Sequence, residues 1–117
     1  MTHQLRADDR VLVLQAGSHS TARLREWARA LPQGLLVGLG DPSAIRNARR
    51  ELADCENVLF ASGSRQEIPW RDGFFTVILD VEGGAGKQDE TAYVTVDVTE
   101  EMLRVLHPSG RIYSIEP

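Results

Sequence analysis

Five short apolar runs divide the 117-residue sequence: RVLVLQ at 10–15, GLLVGL at 34–39, NVLFAS at 57–62, FFTVILD at 74–80 and RIYSIE at 111–116. Between them lie stretches whose apolar residues recur every three or four positions. Runs without polar alternation read as strands covered on both faces, and such strands are joined by crossover helices rather than hairpins. The pattern constrains the chain to the α/β class with a parallel sheet. Its length suits one core, so residues 1–117 are expected to form a single domain.

The connecting segments read as follows. Leu24, Trp27, Ala28 and Leu31 share one face of a helix over 20–31, with Arg23, Arg25, Glu26 and Arg29 opposite and Pro32 and Gly34 ending it. Asp41-Pro42 reads as a helix start, Asp41 as cap and Pro42 at the first helical position, followed by the stripe Ile45, Ala48, Leu52. The loop with Pro69, Trp70 and Gly73 is too short for a long helix, and GGAG at 83–86 is a flexible connection. Val94, Val98, Met102, Val105 and Leu106 predict one helix from about Asp89 to Leu106, with HPSG as the turn into the fifth strand.

Right-handed crossovers constrain the topology, and placing strands one to three on one side and four and five on the other gives the order 3-2-1-4-5. Winding reverses between strands one and four, and the ligand crevice of such a sheet lies at the carboxyl ends of those two strands. The loop from Gln15 to Thr21 falls there.

A net charge of −4 argues against a nucleic-acid partner, because phosphate contact rewards basic surface. No apolar run approaches the ~20 residues of a membrane helix. The polar opening MTHQLRADDR shows no signal-peptide pattern, so a cytoplasmic protein is expected. Cys55 is the single cysteine, and no Cys/His cluster has zinc spacing, so no metal is expected.

Four segments, in order and at the right spacing, resemble the class I S-adenosylmethionine-dependent methyltransferases, especially the small-molecule type related to ubiquinone-biosynthesis methyltransferases. They are VLVLQAGSHSTARL, LLVGLGDPSAIRNARREL, NVLFASGSRQEIPWRDGFFTVILD and EEMLRVLHPSGRIYSIEP. They parallel the family's acid-x-Gly-x-Gly-x-Gly opening, its second strand with an acidic end, its Gly-Asp-Ala…Leu-Pro-Phe segment and its Leu-Arg-Val-Leu-Lys-Pro-Gly-Gly-Arg ending. The resemblance runs from about Arg10 to Pro117 and implies a Rossmann-like sheet of that type. The family usually adds two further strands, so the expectation is a minimal version lacking them, with strand five as an apolar edge. Such an edge predicts a homo-oligomer or docking onto a partner chain.

The resemblance also implies S-adenosyl-L-methionine as cofactor, and the departures weaken that hold. Val13 stands where the family has an acid, Gln15 where it has the first glycine and His19 where it has the third; Gly17 alone matches. The second-strand acid, which holds the ribose hydroxyls in the family, falls at Gly40, with Asp41 one place later. Ser64 replaces the aspartate associated with the adenine amine, and Thr76 the strand-four aspartate. A carboxylate–hydroxyl contact contributes on the order of 1.5–3 kcal/mol, so one lost anchor weakens binding by ~10- to 100-fold.

The cofactor positions carried over are Gly17, Ser18, His19, Gly40, Asp41, Gly63, Ser64 and Asp80; no residue is assigned to catalysis. Each is open to a plainer reading. Ser18, Ser20 and Thr21 suit helix capping as well as a methionine carboxylate, Asp41 a cap as well as a ribose acceptor, and Asp80 a turn as well as a substrate contact. His19 reads as an exposed loop residue or a base, and Ile68 and Trp70 as core packing or the adenine side.

Two functions follow. One is methyl transfer to a small-molecule acceptor with a degenerate cofactor site, weakly occupied or not at all. The other is a catalytically inactive methyltransferase-like interaction domain. A nicotinamide-binding protein fits less well, since the Gly-x-Gly-x-x-Gly loop is absent.

Overall fold

Successive residues of the first strand serve opposite faces of the sheet. Val11 and Val13 belong to one apolar cluster, Leu12 and Leu14 to another, and all four are buried. A computed structural model describes residues 5–18, 20–81 and 99–115. Its strands are β1 (Arg10–Val13), β2 (Leu35–Gly40), β3 (Val58–Ser62), β4 (Phe75–Val81) and β5 (Leu106–Ile115). The helices are α1 (Thr21–Arg29), α2 (Pro42–Glu51) and α3 (Glu100–Val105), with a 3-10 turn at Ala16–Ser18 after β1. The five strands pair in parallel in the expected order β3-β2-β1-β4-β5.

One face of the sheet is covered by Leu24 and Ala28 of α1 and Ile45 and Ala48 of α2, against Val11, Val13, Leu36, Val77 and Leu79. The other is covered by Met102 and Val105 of α3 together with Ile68, against Leu12, Leu14, Val37, Leu39 and Ile78. Burial on both sides is why the strands read as unbroken apolar runs. Full burial of each Leu or Ile side chain contributes about 1.5–3 kcal/mol relative to exposure.

The helix starts follow local chemistry. Ser20 caps α1, its hydroxyl oxygen accepting the Arg23 N–H at 3.1 Å. The Asp41 carboxylate accepts the Ser43 N–H at 3.2 Å, and Pro42 opens α2. The far end of α1 is closed from a distance. The Asn57 amide donates to the carbonyls of Ala28 and Leu31, each at 2.9 Å, satisfying acceptors that a helix end leaves open.

Among the boundaries that differ from the sequence reading, those of β1, β5 and the last helix have an identifiable local cause. β1 ends at Val13 rather than residue 15, because Leu14 and Gln15 already turn and Gln15 takes φ +53°, which breaks the ladder. HPSG is not a turn ahead of the strand. β5 begins at Leu106, opposite Phe75, and the next paired residue is Arg111 opposite Val77, so His107–Gly110 form a bulge inside it. Nδ1 of His107 accepts the Ser109 N–H at 3.1 Å and lies 2.9 Å from the Ser109 hydroxyl, which closes the bulge. The last helix accordingly ends at Val105, one residue early. Nor does the helix run unbroken from residue 89: α3 starts at Glu100, and Thr99 is its extended N-cap, its hydroxyl accepting the Met102 N–H at 3.1 Å. Residues 89–98 and the GGAG connection lie outside the described residues.

At the amino ends of the strands, buried Asp9 ties three strands together. Its carboxylate accepts the Arg6 N–H at 2.7 Å and the Thr76 hydroxyl at 2.8 Å, and Arg111 lies 3.7 Å away. Thr76 also accepts the Arg10 N–H at 2.9 Å. Thr76, read from sequence as a lost strand-four acid, is therefore a structural hydroxyl at the end of the sheet opposite the crevice.

Candidate functional site

The chain leaves β1, β2 and β3 through loops that face one another across a cleft of about 590 Å³ at the carboxyl ends of the strands. That size lies within the ~300–1,000 Å³ usual for small-molecule sites. Its lining includes Leu14, Gln15 and Gly17 after β1, Gly40, Asp41 and Ala44 from β2 into α2, and Gly63 through Gln66 after β3.

Of the positions carried over from the resemblance, Gly17, Gly40, Asp41, Gly63 and Ser64 converge on this cleft. Asp80 reaches it through a partner, Arg65. Ser18 ends the adjoining 3-10 turn, and His19 lies outside the described residues. Ile68 is buried in the core, and Trp70 packs on Phe74 and Phe75 with ring centroids 5.9 and 5.7 Å away, so both serve packing.

The first wall is built by close backbone approach. A Cβ at Gly17 would stand 2.7 Å from the Ala44 Cβ and 2.8 Å from its carbonyl oxygen, so glycine here lets the 3-10 turn lie on α2. The residue most expected to lie against a ligand is thus also required by packing. At Gly40 a Cβ would come 3.0 Å from Ile45 Cγ2, so a side chain at this position needs that methyl group to shift. Gln15 occupies the left-handed region at the place where the family has glycine. For a residue with a Cβ that conformation costs roughly 1–2 kcal/mol.

Asp41 is the acidic side chain of this wall. Its Oδ2 takes both the Ser43 hydroxyl, at 2.6 Å, and the Ser43 N–H. The hydroxyl first and the backbone N–H second hold its carboxyl below the ordinary carboxylate range, so it is an anion at neutral pH.

The second wall is held by polar side chains. Ser64 and Glu67 exchange backbone hydrogen bonds of 3.2 and 3.0 Å, and the Ser64 hydroxyl accepts the Gln66 N–H. The Arg65 guanidinium forks onto Asp80, with Nη1 donating to Oδ2 at 3.2 Å and Nη2 to Oδ1. Both side chains are mostly buried, 14% and 11% exposed. The Arg65 carbonyl accepts the hydroxyl of Thr99, the N-cap of α3, at 2.6 Å.

Behind this wall, Arg104 donates to the Glu101 carboxylate at 2.8 and 3.0 Å, to Asp72 at 2.6 Å and to the carbonyls of Ile68 and Trp70 at 2.7 and 2.9 Å. The Arg104 bonds first, then the Ile68 N–H, hold the Glu101 carboxyl down to about 2, while Glu101 and then Asp72 raise Arg104.

Sequence reasoning placed Gln15 in the crevice loop and missed Arg65 and Gln66 as cleft residues. Arg65 had a weak signal, being next to Ser64, but its pairing with a residue fifteen positions on is visible only in three dimensions. Glu101 and Arg104 were missed too, although their i,i+3 spacing in EEMLRV was an available signal. Among the described residues no group of three or more His, Cys, Asp or Glu side chains is placed to hold a metal ion. Among them, too, no helix is long and apolar enough to cross a membrane.

No protein-family model matches the sequence, and no curated protein matches it. Solved structures do. One is the complex of the Haloferax volcanii Trm112 methyltransferase activator with a protein assigned as a methyltransferase, at 25% identity and a TM-score of 0.69, covering 94% of this chain and 46% of that one. Another is an S-adenosylmethionine-dependent methyltransferase from Aquifex aeolicus, at 17% identity and 0.69, covering 90% and 54%. A third is geranyl diphosphate C-methyltransferase from Streptomyces coelicolor A3(2), with Mg²⁺, geranyl diphosphate and S-adenosyl-L-homocysteine, at 20% identity and 0.67, covering 97% and 40%. The sheet, its order and these neighbours give the chain a class I methyltransferase-like, Rossmann-type fold. It spans about half the length of these structures or less.

Proposed function

We propose that the cleft is a nucleoside-cofactor site of the S-adenosyl-L-methionine type, with a reduced hold on its ligand, in a methyltransferase-like domain acting on a small-molecule acceptor. The observation that carries this reading is the convergence of Gly17, Gly40, Asp41, Gly63 and Ser64 on one cleft at the carboxyl ends of β1, β2 and β3, beside the β1/β4 boundary where strand winding reverses. The residues fit such a ligand in shape but not in every anchor. Gly40 offers the ribose no carboxylate, and Asp41 supplies the nearest one while also capping α2. When bound, the cofactor supplies an electrophilic methyl group. The chain's part is to orient the nucleoside between two walls and hold the acceptor in line, which alone accounts for much of a transfer rate.

Calorimetry with S-adenosylhomocysteine tests this reading. The expected result is a dissociation constant in the range of ~0.1–1 mM, weakened further by Asp41→Ala. The absence of heat and of any thermal shift at 5 mM ligand overturns it.

A second reading, an inactive interaction domain, is favoured by one observation: Asp41, Arg65 and Asp80 are engaged in contacts within the chain. The Haloferax complex with Trm112 is a case of a protein of this fold assembled with an activator. The outer edge of β5, outermost of the described strands on its side, is the proposed docking edge for a partner or a second copy. Light scattering and pull-down on a protein that binds no nucleoside distinguish this reading.

A further inference from the structure

Arg65 lines the cleft, but its partner Asp80 is not part of the same wall. Arg65 follows β3 and Asp80 belongs to β4, three places away in the order β3-β2-β1-β4. With neighbouring strands ~4.8 Å apart, this contact spans the ends of β2 and β1. It joins the loop after β3, which lines the cleft, to β4, the strand beside β1.

Stability alone does not call for charges here. A buried ion pair contributes no more than well-packed apolar residues of the same volume, because removing both charges from water offsets their attraction. The geometry instead has a recognition character. Two N–H···O contacts from one guanidinium are how arginine holds any carboxylate, whether it belongs to the chain or to a ligand. Asp80 is thus an internal carboxylate held by a guanidinium whose own residue lines a small-molecule cleft.

We propose that Arg65 exchanges Asp80 for a carboxylate on the ligand. The cleft then selects a nucleoside bearing an amino-acid group, and Asp80 is a built-in competitor for it. This inference rests on the nucleoside reading above and adds the group recognised and the residue that sets selectivity. Nucleosides without a carboxylate gain nothing from Arg65 and meet no competition from Asp80. Removing the Asp80 charge strengthens only the carboxylate-bearing ligand.

The experiment is calorimetry on the full chain with S-adenosylhomocysteine and with 5′-methylthioadenosine, a nucleoside thioether lacking the amino acid. The proteins are the wild type, Asp80→Asn and the double variant Arg65→Met/Asp80→Asn, in which neither charge is left buried alone. Asp80→Asn is expected to tighten S-adenosylhomocysteine about tenfold, the effect of one charge-assisted contact, and to leave methylthioadenosine unchanged. The double variant is expected to bind both nucleosides equally.

A constant ratio of the two affinities across all three proteins overturns the exchange while leaving the nucleoside site intact. So does weakening of S-adenosylhomocysteine in Asp80→Asn. Tightening of adenosine 5′-monophosphate in Asp80→Asn without tightening of S-adenosylhomocysteine overturns the carboxylate assignment in favour of phosphate. If neither nucleoside binds the wild type or Asp80→Asn at millimolar concentration, the nucleoside reading falls and this inference with it.

Discussion

The two walls of the cleft are built by different physics. The β1/β2 wall is close-packed backbone: Gly17 lies on Ala44, Gly40 faces Ile45, and a left-handed Gln15 lets the chain turn. The β3 wall is held by long polar side chains, with Arg65 on Asp80 and, behind it, Arg104 on Glu101, Asp72 and two carbonyls. The difference teaches that the two walls answer to different changes. The first is set by contacts that one added methyl group would break, and Asp41 carries its charge. The second has an uncharged Ser64 and is held by ion pairs of its own, tied to β4 and α3.

The largest expected effect breaks the second wall. Arg65→Met leaves Asp80 buried without its guanidinium and should cost about 3 kcal/mol in urea denaturation, whereas Arg65→Met/Asp80→Leu should recover most of that loss. A cost below about 1 kcal/mol for the single variant would show that the pair does not hold the wall.

On the first wall, Gly17→Ala places a methyl group 2.7 Å from the Ala44 Cβ. It should destabilise by about 1–3 kcal/mol. Adding Ala44→Gly should restore only part of this, because the Ala44 carbonyl, 2.8 Å from the new Cβ, remains. Full tolerance of Gly17→Ala would refute the close-packing account of this wall.

Gln15→Gly should act in the opposite direction. Relief of the left-handed conformation is expected to raise stability by up to ~1 kcal/mol, net of the entropy that glycine loses on folding. A destabilised Gln15→Gly would mean that the side chain makes contacts that outweigh the strain.

The smallest effect is pH dependence, expected mainly from the second wall. Glu101 has its carboxyl lowered from 4.5 to about 2 by Arg104 and the Ile68 N–H. The stability this provides is fully present above the unfolded value and is lost as pH falls from about 4.5 towards 2. Urea midpoints measured across that interval should fall with pH in the wild type and fall less steeply in Glu101→Gln. Asp41 is shifted in the same direction, so Asp41→Asn serves as the first-wall comparison. Equal slopes for the wild type and Glu101→Gln would remove Glu101 as the cause.

What was legible in the sequence was what depends on neighbours along the chain. The strands followed from apolar runs, their order from crossover handedness once strands four and five were placed beyond strand one, and the caps at Ser20 and Asp41-Pro42 from residue type at a helix start. The first wall was largely legible too, because its residues adjoin strand ends that could be placed. The second wall was not, since Arg65 and Asp80 meet only after the sheet has brought β3 and β4 into register. The β5 bulge was hidden for a related reason. HPSG has turn composition, and only the pairing of Leu106 with Phe75 makes it an interruption within a strand. Thr76 was misjudged because a motif match does not say which end of a strand a residue occupies.

Arg104 has one more consequence, for the order in which the molecule opens. Its guanidinium holds the carbonyls of Ile68 and Trp70, its own carbonyl accepts the Gly73 N–H at 2.8 Å, and Glu101 accepts the Ile68 N–H at 3.0 Å. The six residues of α3 are too few to stand as a helix without packing. Segment 68–73 and α3 therefore form one cooperative unit. In hydrogen–deuterium exchange the amides of Ile68, Gly73 and Met102 should be released together, with a common dependence on denaturant.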